Sequence, residues 1–277
     1  MNRGESQVKR GRDPSILLFA RRGWIALLIL VALYGIGGFS FFRTMYENAA
    51  FALAPSAERA SAYGERHFDA ERPAFYDIAR AEYFYEKAVA LDDQYPYVHH
   101  QLARIAFLRG RFGAALAEID KEIALYGDEH LNSYYVRGLI EGYMGRYDEA
   151  ARDYERFLES HPNSWAALND YAWVLLKAER YADALSAADR GLANFPDNPW
   201  LLNSSAIALY ELDRWAEALE AARRASRAAE ELTEGEWLTA YPGNDPKIAG
   251  EGMAALRASI ADNMHRIETA TISPPAR

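Results

Sequence analysis

The chain of 277 residues contains no cysteine. That absence excludes disulfides, thiolate metal sites and cysteine nucleophiles together, and it is compatible with an oxidising compartment. No zinc-binding His-Glu-x-x-His segment, Gly-x-Ser-x-Gly elbow or phosphate loop occurs. The one adjacent histidine pair, His99-His100, would point about 100° apart on a helix, so both could not easily ligate one metal. Positive charge is also short, because 31 Lys and Arg stand against 40 Asp and Glu for a net −9. Residues 1–22 hold six basic and two acidic side chains, which leaves −13 on the remainder. An acidic body of that kind does not suit nucleic acid. The acidic pairs Asp92-Asp93, Asp148-Glu149 and Glu230-Glu231 read as solvated helix ends and outward faces. No catalytic residue, cofactor or metal site is expected, and the chain reads as a non-enzyme.

Charge is missing altogether from Trp24 to Phe42, an apolar run long enough, at ~1.5 Å per helical residue, to cross a bilayer. Arg3, Lys9, Arg10, Arg12, Arg21 and Arg22 all precede it. The positive flank therefore stays in the cytoplasm and the rest of the chain is exported, as a single-pass inner (plasma) membrane protein. Ala50-Phe51-Ala52 has the form of a cleavage site but lies well beyond the run, so the segment is expected to remain as an anchor. Residues 1–22 are then a cytoplasmic tail, 23–43 a transmembrane helix, and 44–72 a helical stalk with a degenerate first repeat half. Pro55 breaks that span and Ser56 can cap its second helix.

Against these absences stands a ladder of alanines. Ala81, Ala115, Ala150, Ala184 and Ala218 are separated by 34, 35, 34 and 34 residues. A fixed period of that length means a helical repeat array. Phe112, Tyr147, Tyr181 and Trp215 each precede an alanine by three residues, and Ala103, Gly138, Ala172 and Ala206 precede those rings by nine. Two small residues and one ring per unit are what a close-packed helical hairpin needs.

These columns resemble the tetratricopeptide repeat family, most clearly over residues 134–162, where Gly138, Gly145, Tyr147, Ala150, Tyr154 and Pro162 fit its pattern. Residues 165–196 repeat it with Glu179 in place of the turn glycine and Gly191 in place of a packing alanine, and 96–129 puts Glu122 at that packing position. Four good units and one degenerate one are expected over 73–232. The resemblance implies an all-α superhelix, here behind one N-terminal transmembrane helix and ahead of a C-terminal capping helix.

Residues 233–277 read as an aromatic loop around Trp237 and Tyr241, a capping helix and a frayed tail from Thr269. Asp245 and Pro246 can start that helix, and Met253, Leu256, Ile260, Met264 and Ile267 form its inner face. Arg257, Asp262, Asn263 and Arg266 supply the polar outer side.

In the family resembled, the first helix of each repeat lines the concave surface. Carried over by alignment, the inward residues are Tyr97, His100, Arg104 and Phe107; Tyr135, Leu139 and Tyr143; Asn169, Trp173 and Leu176; and Asn203, Ile207 and Tyr210. Some relatives hold a terminal carboxylate there with lysines. This chain offers only Arg104, so an aromatic and amide surface for an extended protein segment is expected instead. The function implied is a membrane-anchored scaffold that binds protein partners in its groove and assists assembly of an envelope complex. The alternative is a non-catalytic subunit that positions substrate for an envelope enzyme.

Overall fold

A computed structural model of the chain describes residues 39–241 and 243–272. The basic tail, most of the apolar run (24–38) and residues 273–277 lie outside the described residues. Among those described, no strand occurs and no helix is long and apolar enough to cross a membrane. The chain divides at Pro55 into two compact units.

In the first unit, α1 (Phe39–Leu53) starts inside the apolar run and leaves Phe41, Phe42, Met45, Tyr46 and Leu53 exposed.

The second unit opens with α2 (Ala57–His67), capped by Ser56, whose side chain accepts from the Arg59 amide at 3.2 Å. It pairs with α3 (Ile78–Leu91), itself capped by Asp77. Four further hairpins follow: α4 (Val98–Leu108) with α5 (Phe112–Tyr126), α6 (Asn132–Tyr143) with α7 (Tyr147–Ser160), α8 (Trp165–Lys177) with α9 (Tyr181–Leu192), and α10 (Pro199–Glu211) with α11 (Trp215–Glu231). All five alanines of the ladder are fully buried, as are Ala103, Ala172 and Ala206. At Gly138 a Cβ would sit 3.2 Å from both the Ala150 carbonyl and the Tyr154 ring, a tight contact that keeps this position small. The turn inside each of these hairpins needs one left-handed residue. Gly110 and Gly145 meet that need without strain, whereas Glu179 (φ 59°) and Asp213 (φ 60°) meet it with a Cβ.

Glu122 is fully buried on α5 and has a definite task. Its Oε1 accepts from the Tyr97 amide at 3.0 Å and pairs with His130 at 2.7 Å, while Oε2 accepts from the His100 amide at 3.3 Å. Tyr97, the residue before α4, offers no side-chain cap, so a carboxylate from the neighbouring helix satisfies the open amides of that N-terminus.

The C-terminal region departs from the expectation in three respects. The stretch around Trp237 is helical, α12 (Glu234–Ala240), because Thr233 and Glu236 form a reciprocal capping box. After a short 3₁₀ turn at Pro246–Ile248, α13 runs from Ala249 to Ile272, so residues 269–272 are helical and Ala270 is buried. Of the four residues expected on the outer side, Asn263 bonds Asn203 and Arg266 lies over Tyr210, both on α10, and Arg257 also turns inward. Its guanidinium donates to the carbonyls of Ala229 at 2.8 Å and Glu230 at 3.3 Å, capping the C-terminus of α11. The inner face of α13 does cover the array, with Ile260 among Leu202, Ala225 and Ala229, and Ile267 against the main core.

Candidate functional site

The first helices α4, α6, α8 and α10 line one cavity of about 680 Å³, and the chain from Trp237 to Ile248 lines it with them. That C-terminal strap is held at its far end by the first hairpin, where Tyr76 Oη donates to the Gly243 carbonyl at 2.6 Å. Gly243 has φ 96°, and a Cβ there would lie 2.8 Å from Arg104 and 3.0 Å from Phe68, so only glycine lets the strap approach so closely. At its near end Trp237 is buried over Gly252, and Trp200 Nε1 donates to Tyr241 Oη at 2.9 Å.

Aromatic rings make most of the wall. Tyr143 is 57% exposed, 5.3 Å in ring centroid from Trp173 and 5.1 Å from Phe107. Trp173 is seated by Gly142, where a Cβ would come within 2.7 Å of its ring. Trp165 and Trp200 stack at 5.2 Å, and Tyr241 meets Trp200 edge-on at 6.1 Å.

Of the residues expected to face the groove, Arg104, Phe107, Tyr135, Leu139, Tyr143, Asn169, Trp173, Leu176, Asn203 and Ile207 line this cavity. Tyr97, His100 and Tyr210 do not. Tyr97 is in the left-handed region at φ 63° and stacks on His130 at 3.8 Å. His100 is buried against Ser133 Oγ at 3.1 Å, and burial pushes its pKa down to about 3. Tyr210 lies under the Arg266 guanidinium at 4.7 Å. The amides are also less available than the pattern suggests. Asn203 Oδ1 accepts from Asn263 of α13 at 3.1 Å, and Asn169 Oδ1 accepts from Ser204 at 3.0 Å.

Trp165, Trp200 and Asp170 were not among the expected groove residues, and Trp237 and Tyr241, read as a separate aromatic loop, line the same cavity. Trp165 lies four residues before Asn169 and Trp200 three before Asn203, so helical spacing puts each on the inward face one turn earlier. Asp170 is the acidic member of the wall. Its Oδ2 accepts from Tyr135 Oη at 2.7 Å and Oδ1 from Asn169 Nδ2 at 3.2 Å. Burial raises its pKa to about 6, with those two hydrogen bonds pulling the other way. A second hollow, of about 830 Å³, lies beyond the strap among α2, Asp69, Arg72 and Gly243. Its two rings, Phe68 and Tyr85, are buried, and Asp69 and Arg72 on its rim pair with each other at 2.8 Å.

His99, buried on α4, bonds Glu118 at 2.6 Å and the Asp93 carbonyl at 2.9 Å, so it is consumed in packing. Among the described residues no group of three or more His, Asp or Glu is placed to hold a metal ion.

Comparison with known proteins agrees with this architecture. Residues 135–199 match the model of the tetratricopeptide repeat family. Among solved structures, YrrB, described as a TPR protein with an unusual peptide-binding site, superposes with a TM-score of 0.55 at 16% identity, covering 66% of this chain and 91% of its own. MamA (AMB-1) gives a TM-score of 0.55 at 18% identity over 62% of this chain and 99% of its own, and a further MamA structure 0.52 at 16% over 62% and 92%. At such identities the likeness is one of fold alone. No curated protein matches the sequence.

Proposed function

We propose that this chain, whose residues 135–199 are tetratricopeptide repeats, is a membrane-anchored scaffold that holds an extended segment of a protein partner in its groove and assists assembly of an envelope complex. The observation that carries the binding reading is the row of Tyr143, Trp173, Trp165, Trp200 and Tyr241 along one open cavity. Rigid aromatic side chains of this kind supply contact area at little entropic loss and dominate interface energies. YrrB shares the fold and has a peptide-binding site, which supports a peptide segment as the occupant.

Anchoring rests on the uncharged run Trp24 to Phe42 and the six basic residues before it. The exposed Phe41, Phe42 and Met45 at the start of α1 suit a membrane boundary. Confinement to the membrane raises the effective concentration of the groove near membrane partners, so tethering is the mechanism.

Capture from detergent-solubilised membranes with tagged full-length protein tests the groove. Tyr143→Ala and Trp173→Ala should each lower partner recovery about fivefold, equivalent to ~1 kcal/mol. Arg152→Ala, at an exposed position outside the cavity, should leave it unchanged. Full recovery with both aromatic variants folded by circular dichroism refutes the site. A reporter active only outside the cytoplasm, fused after Arg277, tests the orientation, and silence refutes it.

A further inference from the structure

The groove contains a carboxylate with which no cationic side chain pairs among the described residues. Asp170 lies in the cavity wall on α8, and among the described residues no lysine, arginine or histidine nitrogen pairs with its carboxylate. The groups that face it are Tyr135 and Tyr143 from α6, Tyr154 from α7 and Tyr241 from the strap. All are phenols whose pKa burial moves upward, so they stay neutral. The cation of the cavity wall, Arg104, is engaged by Gln101 at 2.8 Å and lies over Phe68 at 4.9 Å. At neutral pH, with its own pKa near 6, Asp170 is therefore ionised in an apolar surrounding without a counter-charge. A charge so placed destabilises the empty groove and is relieved by a ligand that carries the opposite sign.

We propose that Asp170 receives the lysine or arginine side chain of an extended partner segment, and that it sets the specificity of the groove for a basic residue flanked by apolar ones. The inference rests on the groove being the binding site and deepens that reading. Each Asp170 oxygen already accepts one hydrogen bond and has a further lone pair to offer, so an ammonium or guanidinium can bond it without displacing Tyr135 or Asn169. The faces of Tyr143 and Trp173 provide cation–π contact along the entering side chain. Trp165, backed by the buried Trp200, then offers apolar surface to its neighbours. A single carboxylate with neutral partners is too few ligands for a divalent cation, which takes several oxygens. The net −13 beyond residue 22 favours approach of a basic segment to the protein.

An arrayed positional library of acetylated, amidated octapeptides, probed with the detergent-solubilised full-length protein, tests this. Bound sequences should be enriched in lysine or arginine at one position between apolar ones. A selected lysine peptide, followed by tryptophan fluorescence, should bind Asp170→Asn at least tenfold more weakly. Replacing its lysine by norleucine should weaken binding to the native protein at least tenfold and to Asp170→Asn by a much smaller factor, the remainder being contact with the Tyr143 and Trp173 rings. Tyr135→Phe keeps the charge and should keep the preference for a basic residue. Affinity for the lysine peptide should fall between pH 7.5 and pH 5 in the native protein and not in Asp170→Asn. Peptides bound without a basic preference, or with the same preference in Asp170→Asn, would overturn the role of Asp170 while leaving the groove as a peptide site. Retention of no sequence at all would overturn the groove reading itself.

Discussion

Glu141 offers the sharpest energetic test of the packing. It lies on α6 with 8% of its surface exposed, and its Oε2 has no hydrogen-bond partner. Burial is the main reason its pKa rises from 4.5 to about 7, with the Asp153 carboxylate adding to the rise and Arg137 opposing it. Arg137 opposes it weakly because its guanidinium is already committed to Asp153, through bonds of 2.7 and 2.8 Å. The folded pKa stands above the unfolded one, so the ionised form is the penalised form. Below pH 4.5 the group is neutral in both states and carries no penalty. Between pH 4.5 and about 7 stability is lost at up to ~1.4 kcal/mol per pH unit, and above that the loss levels off near ~3 kcal/mol. Glu141→Gln removes the charge but leaves a polar amide in the same place, which retains ~1 kcal/mol of the cost. The variant should therefore be more stable than the native protein by about 1–2 kcal/mol at pH 8, and equal to it or weaker at pH 5. Urea unfolding of the fragment 56–277 at the two pH values, followed by circular dichroism, measures the difference. An advantage that is the same at both pH values, or a loss at pH 8, would show that Glu141 is solvated or paired and that the reasoning fails.

Three further substitutions probe the hairpins. Gly191→Ala gains up to ~1 kcal/mol of helix propensity, but its Cβ would lie 2.6 Å from Leu201 Cδ1, and fully buried Leu201 has nowhere to move, so a net loss of about 1 kcal/mol or more is expected in the unfolding midpoint. Gly113→Ala, with nothing within 4 Å of the new Cβ, should raise the same midpoint, and a loss of equal size in both variants would mean that contact with Leu201 is not the cause. Glu179→Gly relieves a left-handed residue at φ 59° and should stabilise the fragment by about 0.5–1 kcal/mol, whereas a fall in Tm would show that the side chain contributes more than the strain removes.

The array was legible because its determinant is short-range and periodic. A hairpin closed on Ala150 or Ala184 leaves no room for a larger side chain, so the constraint recurs at every repeat and can be read as a column. Tyr143, Trp173 and Ile207, placed inward by alignment with the resembled family, line the cavity. Its edges depart from that alignment. Tyr97 is turned away by a left-handed backbone that no spacing rule announces, and Tyr210 is covered by Arg266, 56 positions away in sequence. The capping box of Thr233 and Glu236 was present in the sequence, but Gly235 and the turn-forming residues after Tyr241 outweighed it. Contact between Tyr76 and Gly243 is a long-range closure of the kind that composition and period do not encode. Asp170 was passed over because a single acidic residue between Asn169 and Tyr171 carries no periodic signal, and its place in the wall shows only when Tyr135 and the strap are placed beside it.

The central claim is that the cavity framed by the first helices and the strap is where a partner lies. It is tested most directly by placing a photo-crosslinking amino acid at Tyr143 in the full-length protein in living cells. Tyr143 is exposed within the cavity, and Leu91, also exposed but outside it, serves as the comparison. The account expects one defined adduct from position 143 that is lost on Trp173→Ala and is not formed from position 91. Adducts from position 91 with none from position 143 would contradict it.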